Sequence, residues 1–273
     1  MRKLEGRVAL VVGAGASGDG IGNGNGRAIA MEFARQGATV VAMDLDAASA
    51  ERTADMIRAD GGTCAAFGAD ASNSAQMAGV VRTAIARFGR IDILVNNVGV
   101  VPLGGPVELS EDAWDRAFAV NVKSAFLGCK HVLPHMLRQG RGAIVNVSSV
   151  ASVRSPATPY CAYTASKAAM NGLSHSVAVQ YAGQGIRSNV LLLGMIDTPL
   201  VREQLGAGDP DAIQALLAAR NRASPTGAMG TVWEAAAAAV FLASDDASYV
   251  NGAELAVDAG LHKRAGAFPP VGP

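Results

Sequence analysis

Several residue types are scarce in this 273-residue chain, and each scarcity excludes a class of protein. The three cysteines, Cys64, Cys129 and Cys161, lie far apart, so the sequence predicts neither a disulfide framework nor a metal site. Basic and acidic side chains number 23 each and cancel, which leaves no basic field to hold nucleic acid. We therefore expect a protein without bound metal or nucleic acid, whose partner is a small molecule.

Long apolar runs are absent as well. The N-terminus leads into a short apolar stretch, 8–12, whereas a membrane span needs ~20 apolar residues in succession. It also lacks the cleavage pattern of a signal peptide. The sequence therefore predicts a soluble, cytoplasmic protein with no membrane contact.

Short apolar runs alternate along the chain with segments of helical spacing. The runs are largely unbroken and β-branched, as in strands buried on both faces of a sheet: 8–12, 39–43, 63–67, 91–95, 143–147, 188–193 and 254–257. The helical segments are 26–36, 47–59, 74–88, 111–138, 163–182 and 231–244. This order predicts an α/β fold, a Rossmann-like doubly wound parallel sheet of about seven strands with helices on both faces, in a single domain over residues 1–261.

Two segments depart from this alternation. Residues 199–225 form a long excursion around a weakly amphipathic piece, 211–220, and long insertions of this kind are often lids over a site. The tail, 262–273, follows the last strand, contains three prolines and has little apolar surface. We expect it to be loose or to pack on a neighbouring subunit.

A glycine-rich stretch, 13–26, follows the first strand and precedes a segment of residues that favour a helix. Backbone N–H groups of such a loop can approach a pyrophosphate at a helix N-terminus, where the partial positive charge is favourable. Asp44 closes the second strand about twenty positions after Gly24, where a carboxylate accepts hydrogen bonds from the hydroxyls of an adenosine ribose. The alternative, that Asp44 caps the next helix, is weaker because Asp46 lies nearer the helix start.

The cofactor preference follows from charge. The Asp44 carboxylate would repel a 2′-phosphate, and no Arg or Lys stands in the glycine loop before Arg27, or directly after Asp44, to neutralise one. The sequence therefore favours NAD over NADP.

Further motifs occur in the order and at the spacing of one family. They are Asp70, Asn96-Asn97-Val98-Gly99, Asn121, Ser148-Ser149, Tyr163-Thr-Ala-Ser-Lys167, the stretch 194–199 and the stretch 247–258. The chain resembles the short-chain dehydrogenase/reductases over essentially residues 4–261. The resemblance implies an enzyme that interconverts a secondary alcohol and a ketone with NAD, by transfer of the pro-S hydride.

The glycine loop departs from the family pattern. Val12 replaces a threonine, and the loop is longer than usual. Because the strand ends before the first glycine, we predict a phosphate framework that starts there and includes one backbone donor: Gly13, Gly24, Gly26 and Asn25. An alternative framework fits the family spacing literally, namely Gly20, Gly24 and Gly26.

Four residues of the family pattern suit carbonyl–alcohol chemistry: Asn121, Ser149, Tyr163 and Lys167. A phenol has a pKa near 10, too high for a base at neutral pH, and Lys167 supplies a positive field one helical turn further on. The resemblance implies that Tyr163 relays the proton, Ser149 orients the substrate oxygen and Lys167 also holds the nicotinamide ribose. Asn121 would keep a helix distortion and a water near Lys167. Ser148 is the alternative to Ser149.

The resemblance also implies the remaining contacts. Those to the adenosine half of NAD are predicted after the second, third and fourth strands: Asp44, Leu45, Asp70, Ala71, Asn97 and Gly99. Ile196 and Thr198 resemble the clamp on the nicotinamide carboxamide. The substrate pocket is predicted to be largely apolar and to include Ser149, Val150, Tyr160, Tyr163 and Met195. An alicyclic, aromatic or steroid-like substrate is expected, unless Arg154 or Arg202 turns inward.

Several alternatives remain open at this point. Tyr160 competes with Tyr163, but Thr164 rather than a lysine follows it by one turn, so Tyr160 is assigned to the pocket wall. A non-catalytic NAD-sensing scaffold, an epimerase and an enoyl reductase are alternatives on the same fold. Most relatives assemble through two long helices, here 111–138 and 163–182, so we expect a homotetramer or a homodimer.

Overall fold

One parallel sheet organises the chain. The computed structural model describes residues 2–16, 23–155, 158–199, 201 and 210–264. The strands are β1 (Val8–Val12), β2 (Thr39–Asp44), β3 (Cys64–Gly68), β4 (Ile93–Asn96), β5 (Gly142–Ser149), β6 (Ile186–Leu193) and β7 (Glu254–Val257). Their order in the sheet is β3-β2-β1-β4-β5-β6-β7, and every neighbouring pair is parallel. The predicted Rossmann-like sheet is thus confirmed.

Helices cover both faces of this sheet. They are α1 (Asn25–Arg35), α2 (Ala47–Ala59), α3 (Ser74–Phe88), α4 (Glu111–Phe118), α5 (Ser124–Gln139), α6 (Cys161–Tyr181), α7 (Pro210–Ala223) and α8 (Val232–Ala243). Side-chain caps set several of the starts. Asp46 accepts a hydrogen bond from Ala48 N at the start of α2, and Thr231 with Glu234 forms a capping box at α8. Because Asp46 is the cap of α2, Asp44 is left for another role.

The core lies on both sides of the sheet. Alternate residues of β1 enter two apolar clusters, Ala9 and Val11 on one face and Leu10 and Val12 on the other. The first cluster packs against α1 and α8, and the second against α3 and α5. Burial on both faces explains why the strands form unbroken apolar runs in the sequence.

The fourth helical segment differs from its prediction. A single helix was expected over 111–138, but a π-helical turn, Ala119–Lys123, separates α4 from α5. The physical reason is Asn121, whose buried side chain pairs with the backbone of Val100. Its Oδ1 accepts from Val100 N at 2.8 Å, and its Nδ2 donates to Val100 O at 2.9 Å. Wide turns of this kind are frequent at functional sites.

The segments predicted as a lid and a tail are described in part. Helix α7 extends beyond the predicted piece, 211–220, while Leu200 and residues 202–209 lie outside the described residues. A 3-10 helix, Leu261–Lys263, crosses the predicted domain end at Leu261. The backbone N and the ring Nδ1 of His262 both lie 2.7 Å from Asp258 Oδ2, so the first tail residues pack on their own chain. Residues 265–273 are outside the described part.

A helix that crosses a bilayer needs ~20 predominantly apolar residues in succession. Across the ranges that the structure describes, no helix is both long enough and apolar enough to cross a membrane.

Candidate active site

The carboxyl ends of the strands meet at one edge of the sheet. The chain order of the strands reverses between β1 and β4, and ligands of open α/β sheets bind outside the carboxyl ends at such a point. The predicted site residues follow these strand ends or begin helices beside them. The topology therefore brings the predicted cofactor and catalytic residues to the same edge.

The turn after β1 forms a backbone cradle. Gly13 has φ +84°, in the left-handed region that favours glycine. A Cβ added to Gly26 would overlap the Gly13 carbonyl oxygen, which accepts a hydrogen bond from Asn97 Nδ2 at 2.8 Å. Helix α1 begins beside this cradle at Asn25, after the N-cap residue Gly24. Close backbone approach at a helix N-terminus fits a pyrophosphate.

Two further observations concern the glycine framework. Asn25 Oδ1 is buried and has no hydrogen-bond partner within the described contacts, so a polar group is left over at the start of α1. The alternative framework includes Gly20, which lies outside the described residues. The described part contains Gly13, Gly24 and Gly26, and their contact with a pyrophosphate stays a prediction.

The Asp44 carboxylate is fixed against the glycine loop. Its Oδ2 accepts from Gly15 N at 2.8 Å, and its Oδ1 accepts from Asp46 N at 3.1 Å. A Cβ on Gly15 would lie 2.8 Å from Asp44 Oδ2 and 2.5 Å from Ser49 Oγ. Gly15 is absent from the predicted framework. The sequence places Gly15 in the turn that follows β1. The reason that a side chain does not fit there is the closeness of Asp44 and Ser49, which only the structure shows.

Helix α2 anchors the start of the glycine loop. Ser49 Oγ accepts from Ala16 N at 3.0 Å and donates to Ala16 O at 3.2 Å, while Thr53 Oγ1 donates to Ala14 O at 2.8 Å. Arg27 is buried and donates to Thr53 Oγ1 at 3.0 Å and to Ser49 Oγ at 3.3 Å. Burial lowers the pKa of Arg27. No sequence prediction singled out Ser49 or Thr53.

The other predicted adenosine contacts differ in their surroundings. Leu45 is 72% exposed beyond the end of β2. Asp70 Oδ1 accepts from Ser72 N at 2.8 Å and from Ser72 Oγ at 2.7 Å, and Ala71 is buried. These residues follow β2 and β3, on the same side of the sheet reversal as Asp44. Their roles in cofactor binding stay predictions.

The proposed proton-transfer residues lie together beside β5. Tyr163 and Lys167 are on α6, and Lys167 Nζ lies 6.0 Å from the Tyr163 ring centroid. Lys167 is buried, and its Nζ donates to Val147 O at 2.9 Å. The Ser149 hydroxyl lies at the end of β5 and close enough to the Tyr163 phenol to affect its pKa. A Cβ on Gly99 would lie 3.4 Å from Lys167 Nζ, so the loop after β4 closes on the same point.

The electrostatics of this group are dominated by burial. Burial raises the pKa of Tyr163, and the neighbouring Ser149 hydroxyl only partly opposes this. Burial lowers the pKa of Lys167 to about 8. In this structure the positive field predicted for Lys167 therefore does not bring the pKa of Tyr163 below its ordinary value.

Asn121 connects the loop after β4 to helix α6. Besides its two bonds to Val100, it donates from Nδ2 to Ser166 Oγ at 2.9 Å. Ser166 precedes Lys167 on α6, and its Oγ donates to Tyr163 O at 2.8 Å. The π-helical turn thus places Asn121 next to the helix that carries the proposed catalytic pair.

Two alternative residues are distinguished by their contacts. Ser148 is buried, and its Oγ donates to Lys167 O at 3.4 Å, whereas Ser149 Oγ accepts from Ala151 N at 3.1 Å and neighbours Tyr163. The Tyr160 ring meets the Tyr163 ring edge-on, with 5.6 Å between the centroids. The contacts favour Ser149 over Ser148 and place Tyr160 beside Tyr163.

The segment after β6 supplies the remaining predicted contacts. Met195 O accepts from Gly230 N at 2.9 Å, and a β-bridge joins Ile196 to Gly230. Ile196 and Thr198 are buried, while Met195 is partly exposed. The stretch that would hold the carboxamide is therefore tied to the turn before α8.

Three arginines bear on the substrate side. Arg154 Nη1 donates to Leu261 O and is held by the C-terminal segment, and Arg202 lies outside the described residues. Arg220 on α7 was not singled out by the sequence. Burial lowers its pKa, which the nearby Tyr160 and Asp197 oppose.

Two of the three cysteines are buried thiols. Cys64 and Cys129 are buried, and burial raises the pKa of each thiol to about 12. Among the described residues, no group of three or more His, Cys, Asp and Glu side chains is arranged to hold a metal ion.

The chain is similar to known proteins over most of its length. A family model described as enoyl-(acyl carrier protein) reductase matches residues 20–262. The chain is 39% identical over 258 residues to D-threitol dehydrogenase of Mycolicibacterium smegmatis, covering 94% of each chain. The chain belongs to the short-chain dehydrogenase/reductase family. This confirms the predicted family and the use of a nicotinamide dinucleotide, NAD or NADP.

Two other members of the short-chain dehydrogenase/reductase family show the same likeness over nearly the whole chain. The chain is 41% identical to 2-(R)-hydroxypropyl-CoM dehydrogenase of Xanthobacter autotrophicus, over 92% of this chain and 97% of that protein. The crystal structure of levodione reductase aligns with a TM-score of 0.88 at 32% identity, covering 95% of this chain and 99% of that chain. Like these relatives, this short-chain dehydrogenase/reductase is an oxidoreductase that acts on alcohol and carbonyl groups.

Proposed function

We propose that this short-chain dehydrogenase/reductase interconverts a secondary alcohol and its ketone with NAD. The observation that carries the proposal is the grouping of Ser149, Tyr163 and Lys167 at the edge where the glycine cradle opens. The cradle around Gly13 and Gly26 would hold the pyrophosphate. The dinucleotide, when bound, supplies the hydride acceptor or donor.

The proton is handled by this chain's own residues. Ser149 and Tyr163 hold the alcohol oxygen, and the Tyr163 phenolate takes the hydroxyl proton as the carbinol carbon loses its hydride. In the reverse direction the phenol returns that proton to the carbonyl oxygen. Because burial raises the pKa of Tyr163, the phenolate needs positive charge beside it. Lys167, whose Nζ lies 6.0 Å from the Tyr163 ring centroid, and the positive ring of bound NAD⁺ would supply that charge together.

Asn121 acts through the residues that it positions. Its bonds to Val100 and Ser166 hold the loop after β4 against α6. That loop includes Gly99, whose small size leaves room for Lys167 Nζ. We assign Asn121 to the alignment of Lys167 and of a water that returns the proton to solvent.

The preference for NAD is part of the proposal. Its support is the carboxylate of Asp44, which Gly15 N holds toward the glycine loop. Arg27, the first cation after the loop, donates to Ser49 and Thr53 and is buried. A 2′-phosphate would thus meet the negative charge of Asp44. Asp70, Ala71, Asn97, Ile196 and Thr198 keep their proposed cofactor contacts.

The substrate side is proposed to be largely apolar. Val150, Tyr160 and Met195 are partly exposed beside the catalytic group and suit an alicyclic, aromatic or steroid-like body. Exposed Trp114 and Phe126, on α4 and α5, support the proposed homodimer or homotetramer. A cytoplasmic location stays a prediction from the sequence.

The alternative reactions have weaker support. The family model carries an enoyl reductase description, but the spacing of four between Tyr163 and Lys167 is narrower than that class usually has. A non-catalytic NAD-sensing scaffold would not need Ser149, Tyr163 and Lys167 together.

The test combines a substrate panel with one substitution. Purified protein is incubated with secondary alcohols and either NAD or NADP, and the reduced cofactor is followed by absorbance. Tyr163→Phe is expected to lower kcat by about 10²–10⁴-fold, because the proton relay is lost. NAD affinity, measured by fluorescence, should remain.

The matched control is Tyr181→Phe, which removes a phenolic hydroxyl from the same helix at its far end. It should keep full activity. A preference for NADP would contradict the role of Asp44. Full turnover of Tyr163→Phe would contradict the proton relay.

A further inference from the structure

A cationic side chain on α7 has few partners. Arg220 Nε donates to Met229 Sδ at 3.3 Å. Within the described contacts this thioether is its one hydrogen-bond acceptor, and no carboxylate forms an ion pair with it. A thioether is a weak acceptor, so the guanidinium has donors left for a stronger one.

Arg220 is held at the substrate side of the site. Met229 N donates to Asn221 Oδ1 at 2.8 Å, which joins the turn after α7 to the residue next to Arg220. Gly230, which follows Met229, donates to Met195 O, and its own carbonyl accepts from Asp197 N at 2.9 Å. The end of α7 is therefore attached to the segment after β6 that carries the proposed substrate residue Met195.

Arg220 is partly buried, and Tyr160 lies close enough to affect its pKa. Burial lowers the pKa of Arg220, and Tyr160 and Asp197 are the groups that oppose this effect. Tyr160 in turn packs edge-on against Tyr163. A chain of neighbours thus leads from the guanidinium to the proposed proton relay.

A partly buried guanidinium has a chemical preference. Removal from water costs free energy unless an acceptor replaces the lost hydration. Its planar N–H groups match a carboxylate or another oxyanion, and the pairing is stronger where water is scarce. Among the described residues, two further cations near the site donate to backbone carbonyls, Lys167 to Val147 O and Arg154 to Leu261 O.

We infer that Arg220 binds an anionic group of the substrate, a carboxylate in the first instance. The inference rests on the proposed function and narrows its substrate class. The substrate is then a secondary alcohol or ketone with an apolar body and one acidic substituent. The body lies against Tyr160 and Met195, and the acid lies at Arg220.

The experiment compares two ketones that differ in charge. Reduction of para-acetylbenzoate and of its methyl ester is followed by NADH consumption, and the binding of each ketone to the protein–NAD⁺ complex is measured calorimetrically. The wild-type protein should prefer the acid by about 10- to 100-fold in kcat/KM and in affinity, the worth of a charged hydrogen bond. In Arg220→Met this preference should disappear because the KM for the acid rises, while kcat changes little. Arg220→Lys should restore part of it.

The control is Arg222→Met, which removes an exposed cation from the same helix. It should keep the preference for the acid, and melting temperature and NAD affinity should match between both methionine variants. Equal losses for acid and ester in Arg220→Met, or no preference for the acid in the wild type, would overturn the inference. Turnover of the ester without preference for the acid would leave the proposed function intact. Reduction of carbonyls by Tyr163→Phe at the full rate would contradict that function instead.

Discussion

The two sides of the candidate site are built in different ways. On the dinucleotide side, the backbone of the glycine loop is tied to its neighbours by Asp44, Ser49 and Thr53. On the substrate side, Arg220 contacts a thioether, and Tyr160 and Met195 lie outside the strands and helices that form the core. The dinucleotide side is preorganised, whereas the substrate side depends on a few side chains.

The difference follows from the ligands. A nicotinamide dinucleotide has the same pyrophosphate and ribose in every turnover, so a rigid backbone cradle suits it. Substrates vary among relatives, and variation is tolerated best in segments outside the regular elements. We therefore expect substitutions on the dinucleotide side to affect folding and cofactor affinity, and those on the substrate side to affect selectivity.

The largest effect is expected for Gly26→Ala on the dinucleotide side. The added Cβ would overlap the Gly13 carbonyl oxygen and crowd Asn97 Nδ2, so the cradle must open. Overpacking of this kind costs about 1–3 kcal/mol, and NAD binding should be lost. Thermal melting and fluorescence titration with NAD measure the two effects.

Gly79→Ala on α3 is the matched control. A Cβ there meets only the end of Arg82, at 3.9 Å, and alanine favours a helix. It should melt slightly higher than the wild type and bind NAD normally. Normal NAD affinity in Gly26→Ala would remove the cradle from the cofactor site.

An intermediate effect is expected for Ser49→Ala. The change removes both bonds between Ser49 and Ala16, so the start of the glycine loop loses its anchor on α2. The Kd for NAD should rise about 2- to 10-fold while kcat at saturating NAD stays unchanged. Equilibrium titration and steady-state kinetics separate the two quantities.

Ser248→Ala, at an exposed position, should change neither Kd nor kcat. If Ser49→Ala changed kcat and left the Kd for NAD unchanged, α2 would not be the element that stabilises the dinucleotide side.

The smallest effect concerns Asp258, beside the substrate side. Burial would raise the pKa of Asp258, but the backbone N–H and ring of His262 and the N–H of Gly260 outweigh it and lower the pKa. A lowered pKa in the folded state stabilises the protein above the unfolded Asp value of ~3.9, and this is lost as the pH falls through the folded value. Asp258→Asn should therefore lower the melting temperature by about 2–4 °C at neutral pH, and less below pH ~4.

Asp246→Asn is the comparison for this change. It removes a surface pair with Lys3, and such pairs contribute little to stability, so its melting temperature should stay near that of the wild type. If Asp258→Asn lowered the melting temperature as much below pH ~4 as at neutral pH, the lowered pKa of Asp258 would be contradicted.

Local patterns predicted much of the fold. The limits of β1, β7, α2 and α3 agree with the expected ranges, since unbroken apolar runs, helical spacing and the Asp46 cap are local signals. The π-helical turn could not be predicted by helical spacing, because it depends on the pairing of Asn121 with Val100 across the fold.

The candidate site shows the same division. Motif spacing pointed to Ser149, Tyr163 and Lys167, which the fold brings together, and their roles remain proposals. Gly15, Ser49 and Arg220 were missed because their significance depends on how α2 and α7 lie against other elements. Burial also decides the pKa directions of Tyr163 and Lys167, and spacing along a helix carries no information on burial.

The hydrogen bond from Lys167 to the Val147 carbonyl fixes how many N–H donors the lysine keeps for a ligand. An ammonium group carries three protons, and one of them is committed to β5. Two N–H donors remain, the same number as the vicinal hydroxyl oxygens of a ribose ring, so a diol that accepted from both would use every donor of the ammonium group.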